Sequence, residues 1–274
     1  MTNRSRALTN RQIARAAAIV VFGFITSGAL GLIRTAIFAA TFGASAELDA
    51  FTAAQRIPET LFVLVAGGAL GSSFIPVFSR FLAAGDDEGA WRLASAVLTV
   101  ATGLAVLLAL VVAVFAPQLV STLLVPLKPP EMQALTTSLT QVMIVTVVIF
   151  SASGLLMGIL NAHQRFTLPA LALSMNNIGL IFGAVVLARV LPPMSESGQA
   201  QGANVYGLAF GAVIGALLHL GIQLPGLPRI GARLRLLPNP RVAGVREVIV
   251  LMAPRVLGLA VVQINFMVNA ALTS

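Results

Sequence analysis

Apolar residues along this chain gather into seven runs, at 16–41, 58–81, 92–117, 134–161, 167–190, 204–224 and 245–272, separated by short stretches rich in proline, glycine or charge. A helix needs roughly 20 apolar residues to cross about 30 Å of hydrocarbon, and each run is long enough. None keeps a two-residue alternation for long, and a backbone in lipid must satisfy its own hydrogen bonds, so helices are expected rather than a barrel. The pattern predicts an all-α, polytopic transmembrane bundle of seven spans.

Composition strengthens that reading. Hydrophobic residues make up 58% of the 274, charged residues 9%, and the mean hydropathy is +0.95, against about 25% charged in ordinary soluble domains. With no cysteine in the sequence, disulfides, thiol nucleophiles and cysteine-based zinc sites are excluded. The net charge of +8 points to topology rather than to nucleic acid, because most of the basic residues sit between the runs. Twelve arginines fall on one side, in the head (Arg4, Arg6, Arg11, Arg15), at Arg80 and Arg92, at Arg165, and in the stretch from Arg229 to Arg246. The other side holds only Lys128 and Arg189 near its loops. Positive-inside bias therefore makes the N-terminus cytoplasmic. The first run is too long for a signal peptide and is read as a retained span.

This divides the chain into a basic cytoplasmic head (1–15), a six-helix lobe (16–226), a basic cytoplasmic linker (227–244) and a seventh span (245–274). The sequence closes on "VNAALTS" inside an apolar run, so a truncation is expected. "GALGLIRTAIFAA" (28–40) and "RVLGLAVVQINFM" (255–267) share an L-G-L core, as though the seventh span opened a second, repeated lobe.

Charges inside the runs carry the candidate chemistry, because a charged side chain in a span costs at least about 2.5 kcal/mol and normally faces a cavity. Arg34 lies two-thirds along the first run, Arg56 and Glu59 flank Pro58 at the entry to the second, and Arg255 lies midway along the seventh. Arg34 could instead snorkel to the interface, and Arg56 could pair with Glu59 along its own helix. Several arginines around one cavity, with few carboxylates, suit a phosphate or carboxylate, since the guanidinium fork binds such oxygens in pairs. Asp49 either pairs with an arginine at the rim or caps the second helix.

Gly207, Gly211 and Gly215, four apart, form a face that another helix can approach closely. Gly67, Gly68, Gly71 and Pro76 are a possible weak point in the second span. Asn161, Asn176, Asn177 and His219 read as interhelical hydrogen-bonding and packing residues. Catalysis is not expected. The two histidines, 163 and 219, are too far apart for a helical metal pair, the only lysine is Lys128, and no P-loop or G-x-S-x-G elbow is present. No cofactor or metal is expected.

The stretches "GLIRTAIFAATFGASAELDAFTAAQRIP" (31–58), "GGALGSSFIPVFSRF" (67–81), "GILNAHQRFTLPA" (158–170) and "NNIGLI" (176–181) together resemble the lipid II flippases of the MurJ (MviN) family, in the multidrug, oligosaccharidyl-lipid and polysaccharide exporter superfamily. The resemblance runs in order from about residue 16 to the end. It implies two helical lobes around a central cavity and fourteen spans, of which this chain supplies the first lobe and the first helix of the second. It also implies alternating-access export of the undecaprenyl-diphosphate-linked peptidoglycan precursor across the bacterial cytoplasmic membrane, for cell-wall biogenesis and cell shape. The partners implied are lipid II, membrane lipids and cell-wall synthesis proteins, with no nucleic acid. Another polyprenyl-linked saccharide as cargo, or a non-transporting membrane scaffold, is the alternative.

Carried across, the resemblance places the family's cavity arginine of the first helix on Arg34, its acidic residue before the second helix on Asp49, and a basic residue two before the proline on Arg56. This sequence has Gly28, Phe62 and Gly67 where family members carry an arginine, an arginine and a glutamate. Aligning the two L-G-L cores pairs Gly28 with Arg255, so Arg255 is expected to supply the missing charge and to share a cavity with Arg34. Arg34, Arg255, Arg56 and Asp49 are thus the expected substrate-binding residues.

Overall fold

A computed structural model describes residues 10–63, 69–192 and 203–273. The described chain is helical: α1 (Asn10–Phe42), α2 (Ala46–Phe62), α3 (Ala69–Ala83), α4 (Asp87–Leu119), α5 (Pro130–Met143), α6 (Val145–Ala162), α7 (Thr167–Phe182), α8 (Ala188–Val190), α9 (Tyr206–Gly221), α10 (Gly226–Arg229) and α11 (Val245–Thr273). Single π-helical turns at Val120–Leu124 and Gly183–Leu187 extend α4 and join α7 to α8. Among the described residues, five helical stretches are long and apolar enough to cross a membrane: Ala14–Phe42, Asp87–Leu124, Pro130–Ala162, Thr167–Val190 and Tyr206–Arg229. The other two expected spans fall on α2 with α3, and on α11.

The second span departs from expectation at its start. α2 begins at Ala46 rather than near residue 58, because Ser45 caps it, accepting a hydrogen bond from the Leu48 amide at 3.3 Å. Glu47, Asp49, Arg56 and Glu59 interrupt the hydropathy of this stretch, yet every fourth or so position is apolar. Ala50, Phe51, Ala54 and Pro58 form one buried face, which is what an amphipathic helix requires. Asp49 is therefore a first-turn residue and not the cap. Gly67 and Gly68 lie outside the described residues, and Pro76 sits inside α3.

Three apolar cores hold the bundle. One gathers Phe74 and Phe78 of α3, Leu93 and Val97 of α4, Leu155 and Ile159 of α6, and Val242, Val245 and Val248 at the foot of α11. A second joins α2, α5, α7 and α9 through Phe51, Leu139, Leu180 and Leu208. The third packs Ala105 and Ala109 of α4 against Ile144 and Val147.

The closest packing is between α7 and α9, where glycine meets glycine. A Cβ on Gly179 would lie 2.3 Å from the Gly215 backbone, one on Gly183 2.4 Å from the Gly207 carbonyl, and one on Gly207 2.3 Å from the Ala188 nitrogen. The four-residue glycine spacing on α9 is thus a close-approach face. After a turn at 230–231, residues 232–237 run as a strap over α4. The Arg235 and Leu237 amides donate to Ser95 Oγ at 3.1 Å and Thr99 Oγ1 at 3.0 Å. Ala232 and Leu234 pack inward, which turns Arg233 and Arg235 outward at period two.

Candidate functional site

Arg34 projects from an apolar stretch of α1, and α7 holds it. Its Nη1 donates to Asn177 Oδ1 at 3.1 Å. The Asn177 amide nitrogen donates in turn to the Ser27 carbonyl at 3.1 Å, and Ser27 Oγ donates to the Leu173 carbonyl at 3.0 Å. The guanidinium carbon lies 5.9 Å from the Phe38 ring centroid, within reach of a cation–π contact. Arg34 is therefore half-buried and anchored rather than snorkelling. Its Nε is buried without a hydrogen-bond partner, an unusual state for a donor that costs about 1–3 kcal/mol when unmet.

On α2, packing of Ala50, Phe51, Ala54 and Pro58 leaves Asp49, Arg56 and Glu59 exposed. Asp49 and Arg56 are two turns apart on one face, about 10 Å along the axis, too far to pair directly. The alternative Arg56–Glu59 pair does not form: among the described residues the one ion pair is Arg80 with Glu247. Arg255 is also exposed, and its Nη1 reaches Ser73 Oγ of α3 at 3.5 Å. Gly28 faces open space, with nothing within 4 Å of where its Cβ would be. Among the described residues no hydrogen bond or ion pair links Arg34 to Arg255, Asp49 or Arg56. The structure brings together Arg34, Asn177 and Ser27, and brings Arg255 to Ser73. Ser27 and Ser73 carry no signal in the sequence beyond being small and polar.

Glu59 stands at a cavity of about 240 Å³ between α2, α6, α7 and α9, lined also by Gln55, Thr146, Asn176 and His219. The rest of its lining is apolar, including Phe62, Phe150 and Leu180. Behind it, Gln223 Nε2 donates to Ser153 Oγ at 2.7 Å, so the serine proton serves His219 Nδ1 at 2.6 Å. His219 is a satisfied packing residue, as its position suggests. Ser153→Ala strips the buried imidazole of its donor and is expected to lower stability by about 1–3 kcal/mol. Thermal unfolding in detergent measures this, and an unchanged midpoint would contradict the hydrogen-bonded chain. Among the described residues no group of three His, Asp or Glu is placed to hold a metal.

Comparison with known proteins agrees with this architecture. The family model for lipid II flippase MurJ matches residues 38–274. The lipid II flippase MurJ of Burkholderia cenocepacia is 32% identical over 267 residues, covering 94% of this chain and 49% of the relative. The chain thus spans about half the length of the curated relatives it matches. Among solved structures, a lipid II flippase MurJ in an inward closed conformation superposes with a TM-score of 0.70 at 24% identity, over 92% of this chain and 49% of the other. A MATE protein in complex with MaD3S gives a TM-score of 0.69 at 15% identity, over 91% of this chain and 53% of the other. By the extent of the family match and the shared helical architecture, this multi-pass membrane chain belongs to the MurJ family of lipid II flippases.

Proposed function

We propose that this chain forms the first lobe of a flippase that moves the undecaprenyl-diphosphate-linked peptidoglycan precursor, lipid II, across the bacterial cytoplasmic membrane by alternating access. Residues 16–226 make that lobe, and 245–274 are the first helix of a second lobe that closes the cavity. The N-terminus and the strap over α4 lie on the cytoplasmic side, where the arginines cluster. The protein carries its substrate without chemistry on it.

Arg34 is the observation that carries this reading. Lipid II presents a diphosphate that needs fixed cationic donors inside the membrane, and Arg34 is a cation held in place by Asn177 within an apolar stretch of α1. Arg255, beyond its contact with Ser73, supplies a second positive group where Gly28 leaves room. Asp49 and Arg56, exposed on one face of α2, act at the gate, exchanging partners between the empty and loaded states. The membrane lipids and the cell-wall synthesis proteins are its neighbours in this role.

In cells depleted of their own lipid II flippase, the gene carrying this chain is expected to restore growth and cell shape. Purified protein in vesicles is expected to move fluorescent lipid II between leaflets. Protein that reaches the membrane but supports neither growth nor movement would overturn the proposal and leave a scaffold role.

A further inference from the structure

A second cationic site lies well away from Arg34. The start of α1 and the turn between α6 and α7 border an open cleft of about 500 Å³, lined by Arg15, Ile19, His163, Gln164, Arg165 and Thr167 among others. No carboxylate lines it, and neither arginine joins the one ion pair among the described residues. Two cations thus face one space with nothing to neutralise them there. The turn is held in a set shape: Gln164 takes a φ of 59°, the only positive φ at a described residue other than glycine. The Gln164 and Arg165 amides are bonded back to Asn161 and Leu160, each at 2.9 Å. His163 donates from Nδ1 to the Ile159 carbonyl at 2.9 Å and stacks on Trp91, their rings 5.7 Å apart. α7 opens beside the arginines without a capping side chain, so its dipole adds to their field.

The chemistry this cavity fits is a phosphate ester, which accepts paired hydrogen bonds from arginine. Position decides between a soluble phosphate and a lipid. The cavity lies at the arginine-rich end of the bundle, where the apolar stretch Ala14–Phe42 begins and Pro130–Ala162 ends, and Ala16 and Ile19 form its apolar side. From there Val21, Phe22, Phe24 and Ile25 continue along α1 at 55–66% exposure, a track suited to acyl chains. Basic pockets between helices on the cytoplasmic side are where acidic headgroups dock. Arg15 and Arg34 are nineteen residues apart on one helix, roughly 28 Å at about 1.5 Å per residue. The two sites are therefore separate.

We propose that this cavity binds the phosphodiester headgroup of an acidic phospholipid, with Arg15 and Arg165 clamping the phosphate and the chains lying along α1. The inference does not depend on which cargo the protein carries.

The purified chain in phosphatidylcholine nanodiscs, titrated with phosphatidylglycerol, tests it by native mass spectrometry. Emission of Trp91, the only tryptophan in the sequence, provides a local reporter through its stack on His163. One phosphatidylglycerol is expected to be retained over phosphatidylcholine by about thirtyfold, the factor two surface arginines provide at an anionic headgroup. The double variant Arg15→Gln/Arg165→Gln is expected to lose that preference, while Arg233→Gln on the strap keeps it. If the double variant does not fold, Arg165→Gln alone, on its exposed turn, is expected to lose about half of the preference on a logarithmic scale. Retention of the full preference by the variants, or equal binding of both lipids by the wild type, would overturn the proposal. So would inorganic phosphate that reproduces the Trp91 change and displaces the lipid, because the site would then serve a soluble anion.

Discussion

Arg34→Ala is expected to reduce lipid II movement by about a hundredfold or more while leaving the protein folded. A charge-assisted arginine fork on a phosphate contributes roughly 3 kcal/mol, which is about two decades in rate when it acts on the rate-limiting passage. Folding should survive for two reasons. Alanine is the best helix former, so α1 is not weakened, and Asn177 keeps its bond to the Ser27 carbonyl when Arg34 is gone. Arg34→Lys retains the charge but not the planar fork or the reach to Asn177, so an intermediate loss of about tenfold is expected. Asn177→Ala should fall in the same range, since it frees the guanidinium without removing it. Vesicle assays with protein quantified in the membrane separate these outcomes. Wild-type movement by Arg34→Ala would remove the central support for the flippase mechanism.

The second large effect concerns structure rather than transport. Gly179→Val is expected to cost at least about 3 kcal/mol and to prevent accumulation of folded protein. The clash is with backbone, since a Cβ there would lie 2.3 Å from the Gly215 Cα and nitrogen, so no rotamer relieves it. Sliding α9 away would open the contacts of Gly183 with Gly207 and Gly211 in the same seam. Gly28→Ala and Gly258→Ala are the matched controls, because nothing lies within 4 Å of either added Cβ and a helical glycine-to-alanine change gains up to about 1 kcal/mol. Detergent-solubilised yield and unfolding temperature report the difference. A Gly179→Val protein that unfolds at the wild-type temperature would mean the seam is not closed.

Much of this architecture was legible in the sequence because lipid imposes a strong one-dimensional signal. Long apolar runs give helices, and four-residue glycine spacing gives the α7–α9 seam. Hydropathy failed where a helix is amphipathic. The polar face of α2, with Glu47, Asp49, Arg56 and Glu59, hid its first twelve residues from a reading of mean apolarity. Arg34 stood out as a charge among apolar neighbours. Its anchor did not, because Asn177 is 143 residues away and an asparagine in a span looks the same whether it orients an arginine or joins two helices. The Arg15–Arg165 cavity was hidden for a similar reason: each arginine was read as a topology marker, and only the fold brings them to one space. Among the described residues neither Asp49 nor Arg56 has an ion-pair partner.

The foot and the shaft of α11 are held in different ways. Val245 and Val248 are buried in the same core as Phe74 and Leu93, whereas Arg255, Leu257 and Val261 stand exposed. Above the foot, the polar attachments to α3 are Arg255 to Ser73 and, lower, the exposed pair of Arg80 with Glu247; exposed pairs of this kind are worth at most about 1 kcal/mol. A tilt of α11 has its fulcrum at this foot, where Met252 also packs against the core, and must release the contact of α11 with the π-helical turn at Val120–Leu124, at the far end of α4. The arm from Val248 to Thr273 is 25 residues, roughly 37 Å at about 1.5 Å per residue, so a tilt of about 10° at the fulcrum sweeps the far end through roughly 6 Å. A displacement of that size is resisted by the turn at Val120–Leu124, so the helix is braced at both ends of α4 and not at its foot alone.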